Sequence, residues 1–132
     1  MDLKILQIAS NTENNKIVKN HTHNAKLKNP ICGDEMEIRL NVKDEKILDF
    51  GYQCKSCVYC QASVSLLSRN VMNKSIIKLK SLLNIVEKFS FEEHIVFSKE
   101  WSVFKQIFDK KNILRKECLL LPFKTLSKAL KL

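Results

Sequence analysis

The sequence predicts an α+β fold, an antiparallel sheet of about three strands packed against four or more helices. Three observations carry this. Two extended runs, 35–42 and 47–53, are joined only by Lys43-Asp44-Glu45-Lys46. So short a link cannot make a parallel crossover, so the pair is antiparallel. From residue 62 onward the apolar residues recur at helical spacing, and strands followed by helices is the order of an α+β domain.

Residues 1–23 read as a polar, partly helical leader, with Ser10-Asn11-Thr12-Glu13-Asn14-Asn15 and then His21 to Asn24. A strand is expected at 24–28, closed by Asn29-Pro30, because the residue before proline is pushed toward extended geometry. In the next strand Met36, Ile38, Leu40 and Val42 share one face, while Glu37, Arg39 and Asn41 share the other. That alternation marks a half-buried strand. Helices follow at 62–71 and at 74–88, the latter through Ile76, Leu79, Leu82, Leu83 and Val86. A third is expected at 98–109 through Trp101, Phe104, Ile107 and Phe108, and a fourth at 118–130. Pro122 is placed in the first turn of this last helix, which puts Cys118 at or just before its N-terminus.

The 132 residues read as one domain, 1–132, and 45% hydrophobic content fits a globular chain. No segment approaches the ~20 apolar residues of a membrane helix. Asp2, Lys4 and Gln7 interrupt the first ten residues, so they do not resemble a secretory signal. The expectation is a cytoplasmic protein in a reducing compartment, where clustered thiols serve as metal ligands or reactive groups rather than disulfides. The net charge is +9. The lysines are spread singly, however, and six of the ten aromatics fall within 89–108 at core-like spacing. An interleaved basic and aromatic platform for nucleic acid is therefore not indicated.

The chemistry lies in five cysteines. Cys32 precedes a strand in a loop, Cys57 lies between the second of the paired strands and a helix, and Cys118 begins a later helix. A helix N-terminus carries partial positive charge that favours a thiolate, the form that binds metal and attacks sulfur. Gly33 allows a sharp turn that aims Asp34 toward the same point. Three thiolates and one carboxylate suit tetrahedral zinc, and also iron or an iron–sulfur cluster. The harder carboxylate holds iron or zinc less firmly, which suits a cargo that must leave.

At these residues the chain resembles the IscU/SufU/NifU N-terminal family of iron–sulfur cluster assembly proteins. Asn29-Pro30-Ile31-Cys32-Gly33-Asp34 looks like its NPxCGD signature, Cys57 with Ala62-Ser63-Val64-Ser65 like its C-x4-A-S-x-S element, and Arg115 with Cys118 like its R-x-x-C segment. The resemblance implies a SufE/NifU-like α+β fold and a site formed by Cys32, Asp34, Cys57 and Cys118. It implies a scaffold that accepts sulfur from a cysteine desulfurase (SufS-like), builds a transient [2Fe–2S] cluster, and hands it to a downstream SUF scaffold or to apo iron–sulfur proteins. The long gap before Cys118 and the absence of an LPPVK segment resemble the SufU branch, some members of which hold zinc and relay persulfide as sulfurtransferases. Cys118 and Cys57 are then the candidate persulfide acceptors. Glu117 stands where the family usually has His or Lys. Its charge is expected either to disfavour the Cys118 thiolate or to supply an extra oxygen ligand.

Other readings are plainer. Cys54 and Cys60, either side of Cys57, are expected to be packing residues. A zinc ribbon would need a second Cys-x-x-Cys, and a thioredoxin-like redox pair would need a βαβ setting. His21, His23 and His94 are expected at the surface, Trp101 in the core, and Ser63 and Ser65 as polar helix-start residues, not nucleophiles. A basic, zinc-stabilised nucleic-acid module is the remote alternative, and its sign would be binding that weakens steeply with salt.

Overall fold

The structure is a computed structural model that describes residues 2–92 and 94–132. Its first element is a helix, α1 (Leu3–Ala9), capped by the Asp2 side chain, which accepts the Lys4 amide at 2.9 Å. Ile5, Ile8 and Ala9 are buried against the rest of the chain. The leader is thus part of the core. Val18 is 5% exposed, and the buried Asn14 amide nitrogen donates to the Ser68 hydroxyl at 3.0 Å.

Three strands follow, β1 (His23–Lys28), β2 (Glu35–Lys43) and β3 (Lys46–Lys55), forming an antiparallel sheet in the order β1-β2-β3. Met36, Ile38 and Leu40 are fully buried, as their alternation requires. Asp44 and Glu45 both have positive φ, 53° and 61°, so the β2–β3 link is a two-residue turn of the kind that matches strand twist. The segment before β1 runs along the free edge of β3. There the Tyr52 amide donates to the Asn14 carbonyl at 3.1 Å, and Lys16 pairs with Asp49 at 2.8 Å. Gly51 permits this approach, since a Cβ at that position would lie 2.5 Å from the Lys16 carbonyl oxygen.

Helix α2 (Val58–Asn70) begins four residues earlier than the apolar pattern indicated, with Cys57 as its N-cap. Helix α3 (Ile76–Ser90) is capped by Ser75 and buries Leu79, Leu82, Val86 and Phe89. The helix expected at 98–109 is instead a pair of 3-10 segments, Lys99–Gln106 and Lys110–Arg115. The sequence supplies the reason: Trp101, Phe104 and Ile107 recur at every third residue, which aligns them along a three-residue turn rather than a 3.6-residue one. Trp101, Phe104 and Ile107 are buried, in line with a core role, and Phe104 stacks edge-on against Phe123 at 5.6 Å.

Helix α4 (Lys116–Leu130) lies across β1 and β2 and packs on α2 and α3. Pro122 is its seventh residue, not a first-turn residue as expected, because the helix starts at Lys116. A proline there gives no amide to the Cys118 carbonyl. Leu119, Leu120, Leu121, Pro122 and Phe123 are all buried along this stretch.

Candidate metal and sulfur site

Residues 29–34 form the turn between β1 and β2, and their hydrogen bonds account for their sequence. The Asn29 amide donates to the Asp34 carbonyl at 2.7 Å, and the Gly33 amide donates to the Asn29 carbonyl at 2.8 Å. The buried Asn29 side chain accepts the Ile31 amide at 2.9 Å, a local turn that fixes Pro30-Ile31. Gly33 has a φ of +78°, and a Cβ there would meet nothing within 4 Å, so conformation rather than space selects glycine. The turn leaves Cys32 exposed at its tip and returns the chain so that Asp34, 7% exposed, sits at its base.

Cys118 arrives from the first turn of α4 and is 5% exposed. One ligand atom from each of Cys32, Asp34 and Cys118 lies within 4.8 Å of the other two. The Asp34 Oδ2 atom is buried and has no hydrogen-bond partner. Buried polar atoms are almost always paired, because leaving one unmade costs about 1–3 kcal/mol. Asp34 therefore presents an unpaired carboxylate close to two thiols, a donor set able to hold a soft cation. Cys57 is not in this trio. It is half-buried at the N-cap of α2, with no side-chain cap hydrogen bond, and its thiol is one of the groups that raise the Cys118 pKa.

Helix position favours a Cys118 thiolate, but burial outweighs it. Desolvation, then the Cys57 thiol, then the charges of Asp34 and Cys32 push the Cys118 pKa well up. Cys118 is therefore held as the neutral thiol, and any metal bound there would have to displace that proton. Glu117 fulfils neither expected role. Its carboxylate pairs with Lys124 at 3.5 Å along α4, and it is absent from the trio and from the groups that shift Cys118.

Cys60 is fully buried and Cys54 half-buried, and both pack against the core. Burial raises the pKa of each. His21 and His94 are exposed and His23 half-buried, and none joins the trio. Ser63 and Ser65 are the sixth and eighth residues of α2, not helix-start residues as expected, and their hydroxyls donate to backbone carbonyls, at 2.6 Å to Leu119 and 2.7 Å to Asn11. One contact escaped the sequence reading. The Arg115 guanidinium lies 5.2 Å from the centre of the Tyr59 ring, bracing the start of α4 on the first turn of α2. The Arg-x-x-Cys spacing marked Arg115, but nothing local marked Tyr59.

An exposed thiol, a half-buried thiol and a buried thiol–carboxylate pair make a soft donor set that is open on one side. Fold and donor set together define an α+β protein with a candidate site for a soft cation. The chain belongs to the NifU-like N-terminal domain family, whose model matches residues 2–91. That match ends before Cys118, which the fold brings to the site. Over 104 residues the chain is 34% identical to the iron–sulfur cluster assembly scaffold protein IscU of Thermotoga maritima, covering 79% of this chain and 73% of that one. Its fold matches a Fervidobacterium islandicum protein described as a scaffold for the SUF system, with a TM-score of 0.89, 22% identity, and coverage of 98% and 96%. It also matches the N-terminal part of a NifU-like protein of Brucella abortus, with a TM-score of 0.88, 21% identity, and coverage of 98% and 91%. At these identities the two structural likenesses speak to fold alone. Among the described residues no helix is long and apolar enough to cross a membrane.

Proposed function

We propose that this protein is an iron–sulfur cluster assembly scaffold. Cys32, Asp34, Cys57 and Cys118 hold iron and sulfide while a [2Fe–2S] cluster forms, and the cluster then leaves. The observation that carries this is the buried Asp34 carboxylate, one oxygen of it unpaired, gathered with the thiols of Cys32 and Cys118 within 4.8 Å of one another. Cargo enters past exposed Cys32, and the cluster rests on Asp34 and Cys118. The single carboxylate makes the grip weaker than four thiolates would. Sulfur comes from a cysteine desulfurase as a persulfide taken up by Cys57 or Cys118, and Cys57 is the more open of the two. The cluster passes to a downstream scaffold or to apo iron–sulfur proteins.

Anaerobic reconstitution with iron, cysteine and a desulfurase tests the proposal. Visible absorption and acid-labile sulfide are expected in the wild type and should be lost in Cys32→Ala and Cys57→Ala. Unchanged yield in both variants would remove the site assignment. Zinc retained through reconstitution, with faster desulfurase turnover and no visible bands, would mean the same four residues act as a zinc-dependent sulfur relay.

A further inference from the structure

We infer that Cys57 and Cys60 form a dithiol pair that discharges delivered sulfur: when Cys57 carries a persulfide, Cys60 attacks it and sets sulfide free beside the metal-binding trio. This rests on the sulfur-accepting reading above and adds to it a residue and a reduction step.

Cys57 is the N-cap of α2 and Cys60 its third residue. The Gln61 amide donates to the Cys57 carbonyl at 3.0 Å, and Val58 and Tyr59, which set the Cα spacing from Cys57 to Cys60, are already helical although Cys57 itself is extended. A rise of 1.5 Å per residue and 3.6 residues per turn put Cα atoms three apart at about 5 Å, inside the range of roughly 4.4–6.8 Å that a disulfide spans. The two thiols are unequal. Cys57 is half-buried and makes no capping bond, whereas Cys60 is 0% exposed and meets the site only from within. The buried Ser56 hydroxyl lies against the side chains of both Cys54 and Cys60. Cys54 is a poorer partner. It lies in β3, which runs on through Lys55, and extended chain advances ~3.3 Å per residue, so three residues carry it toward ~10 Å from Cys57.

The chemistry balances within the protein. The Cys60 sulfur attacks the Cys57 Sγ of the persulfide. A Cys57–Cys60 disulfide forms, and the bond between Cys57 Sγ and the terminal sulfur breaks. The terminal sulfur leaves with the bonding pair and takes up the Cys60 proton, departing as hydrogen sulfide. That sulfur is reduced by two electrons while two thiols are oxidised, so release itself needs no outside reductant. A dithiol reductant from solution then reopens the disulfide. Sulfide is the oxidation state that a bridged di-iron cluster contains, and it appears beside the residues that hold the metal.

The full chain, metal-free, is charged anaerobically with glutathione persulfide, desalted, and followed by sulfide assay and mass spectrometry. The wild type is expected to gain a sulfur, release it as sulfide without added thiol, and yield a Cys57–Cys60 disulfide peptide. Cys60→Ser should keep its persulfide and release none, while Cys54→Ser should behave as wild type. Release from Cys60→Ser at the wild-type rate, or a mapped Cys54–Cys57 link, overturns the pairing. Because the disulfide is mapped in the wild type, the answer does not depend on how Cys60→Ser folds. Uptake without release overturns the pair alone, and no uptake by the wild type overturns the sulfur-accepting reading with it.

Discussion

The Ser63 hydroxyl donates a 2.6 Å hydrogen bond to the Leu119 carbonyl, and both residues are fully buried. Leu119 adjoins Cys118, and Ser63 lies in the second turn of the helix that Cys57 caps, so this bond ties together the two helices whose first turns carry thiols. Ser63→Ala removes a buried bond worth about 1 kcal/mol and lets the starts of α2 and α4 shift. The expected outcome is a lower denaturant midpoint at unchanged slope, with less iron and sulfide retained after reconstitution. A variant matching wild type in both would deny the link.

Gly51→Ala should be harsher. The added methyl would sit 2.5 Å from the Lys16 carbonyl oxygen and 2.9 Å from the Val18 side chain. The first obstacle is backbone, so the segment before β1 must lift away from β3. Overpacking of this kind costs about 1–3 kcal/mol. Thermal unfolding checks it, and a variant within measurement error of wild type would show that the segment yields freely.

How far the sequence carried can be seen at particular residues. Met36, Ile38 and Leu40 announced their buried face because a strand has a period of two and nothing competed with it. Cys32, Asp34 and Cys118 were legible as one site only through their motifs, since no local rule brings residue 118 to residue 32. The fold does so through a hairpin turn and a helix start. Helix α1 went unseen as a core element because seven residues give Ile5, Ile8 and Ala9 little room to show a period. The proton held on Cys118 and the direction taken by Glu117 were not legible, for a common reason. Charge and helix position can be read from a sequence, whereas desolvation and the direction a side chain takes cannot.

The β2–β3 turn can be improved. Asp44 and Glu45 both occupy the left-handed region, where an L-residue costs about 1–2 kcal/mol and glycine almost nothing. Aspartate tolerates that conformation better than glutamate, so Glu45 carries most of the strain. Glu45→Gly keeps the carbonyl that accepts the Ile76 amide at 2.9 Å. A gain of about 0.5–1 kcal/mol is expected, net of the extra freedom glycine has when unfolded. A lower melting temperature would refute this account of the turn.

Alkaline pH offers another test. Burial pushes the Tyr52 phenol up from 10.0 to about 12, with a smaller push from the Cys54 charge. Between pH 10 and 12 the unfolded chain has lost this proton while the folded protein still holds it. The folded state binds more protons there, so stability falls as pH rises through that window and is unaffected below it. The buried thiols add a slope of the same sign, but they are present in wild type and variant alike. Tyr52→Phe should therefore flatten the stability profile between pH 10 and 12 and leave it unchanged near neutrality. Equal slopes for the two proteins would mean that the phenol ionises as easily folded as unfolded.

Asp34→Ala separates a structural carboxylate from a metal-binding one. In the metal-free protein Asp34 Oδ2 is buried without a partner, and the Asp34 charge bears on Cys54, Cys60 and Cys118. Removing such a group deletes a desolvation penalty rather than a contact. The metal-free variant is thus expected to be at least as stable as wild type. Its affinity for iron(II) or zinc should nevertheless fall about tenfold or more, the equivalent of about 1.4 kcal/mol, because one of the donors is gone. Melting curves without metal and competition titrations with metal read the two effects separately. An ordinary structural aspartate would lose stability in the first measurement and leave the second unchanged, so opposite signs assign the side chain to the cargo rather than to the fold.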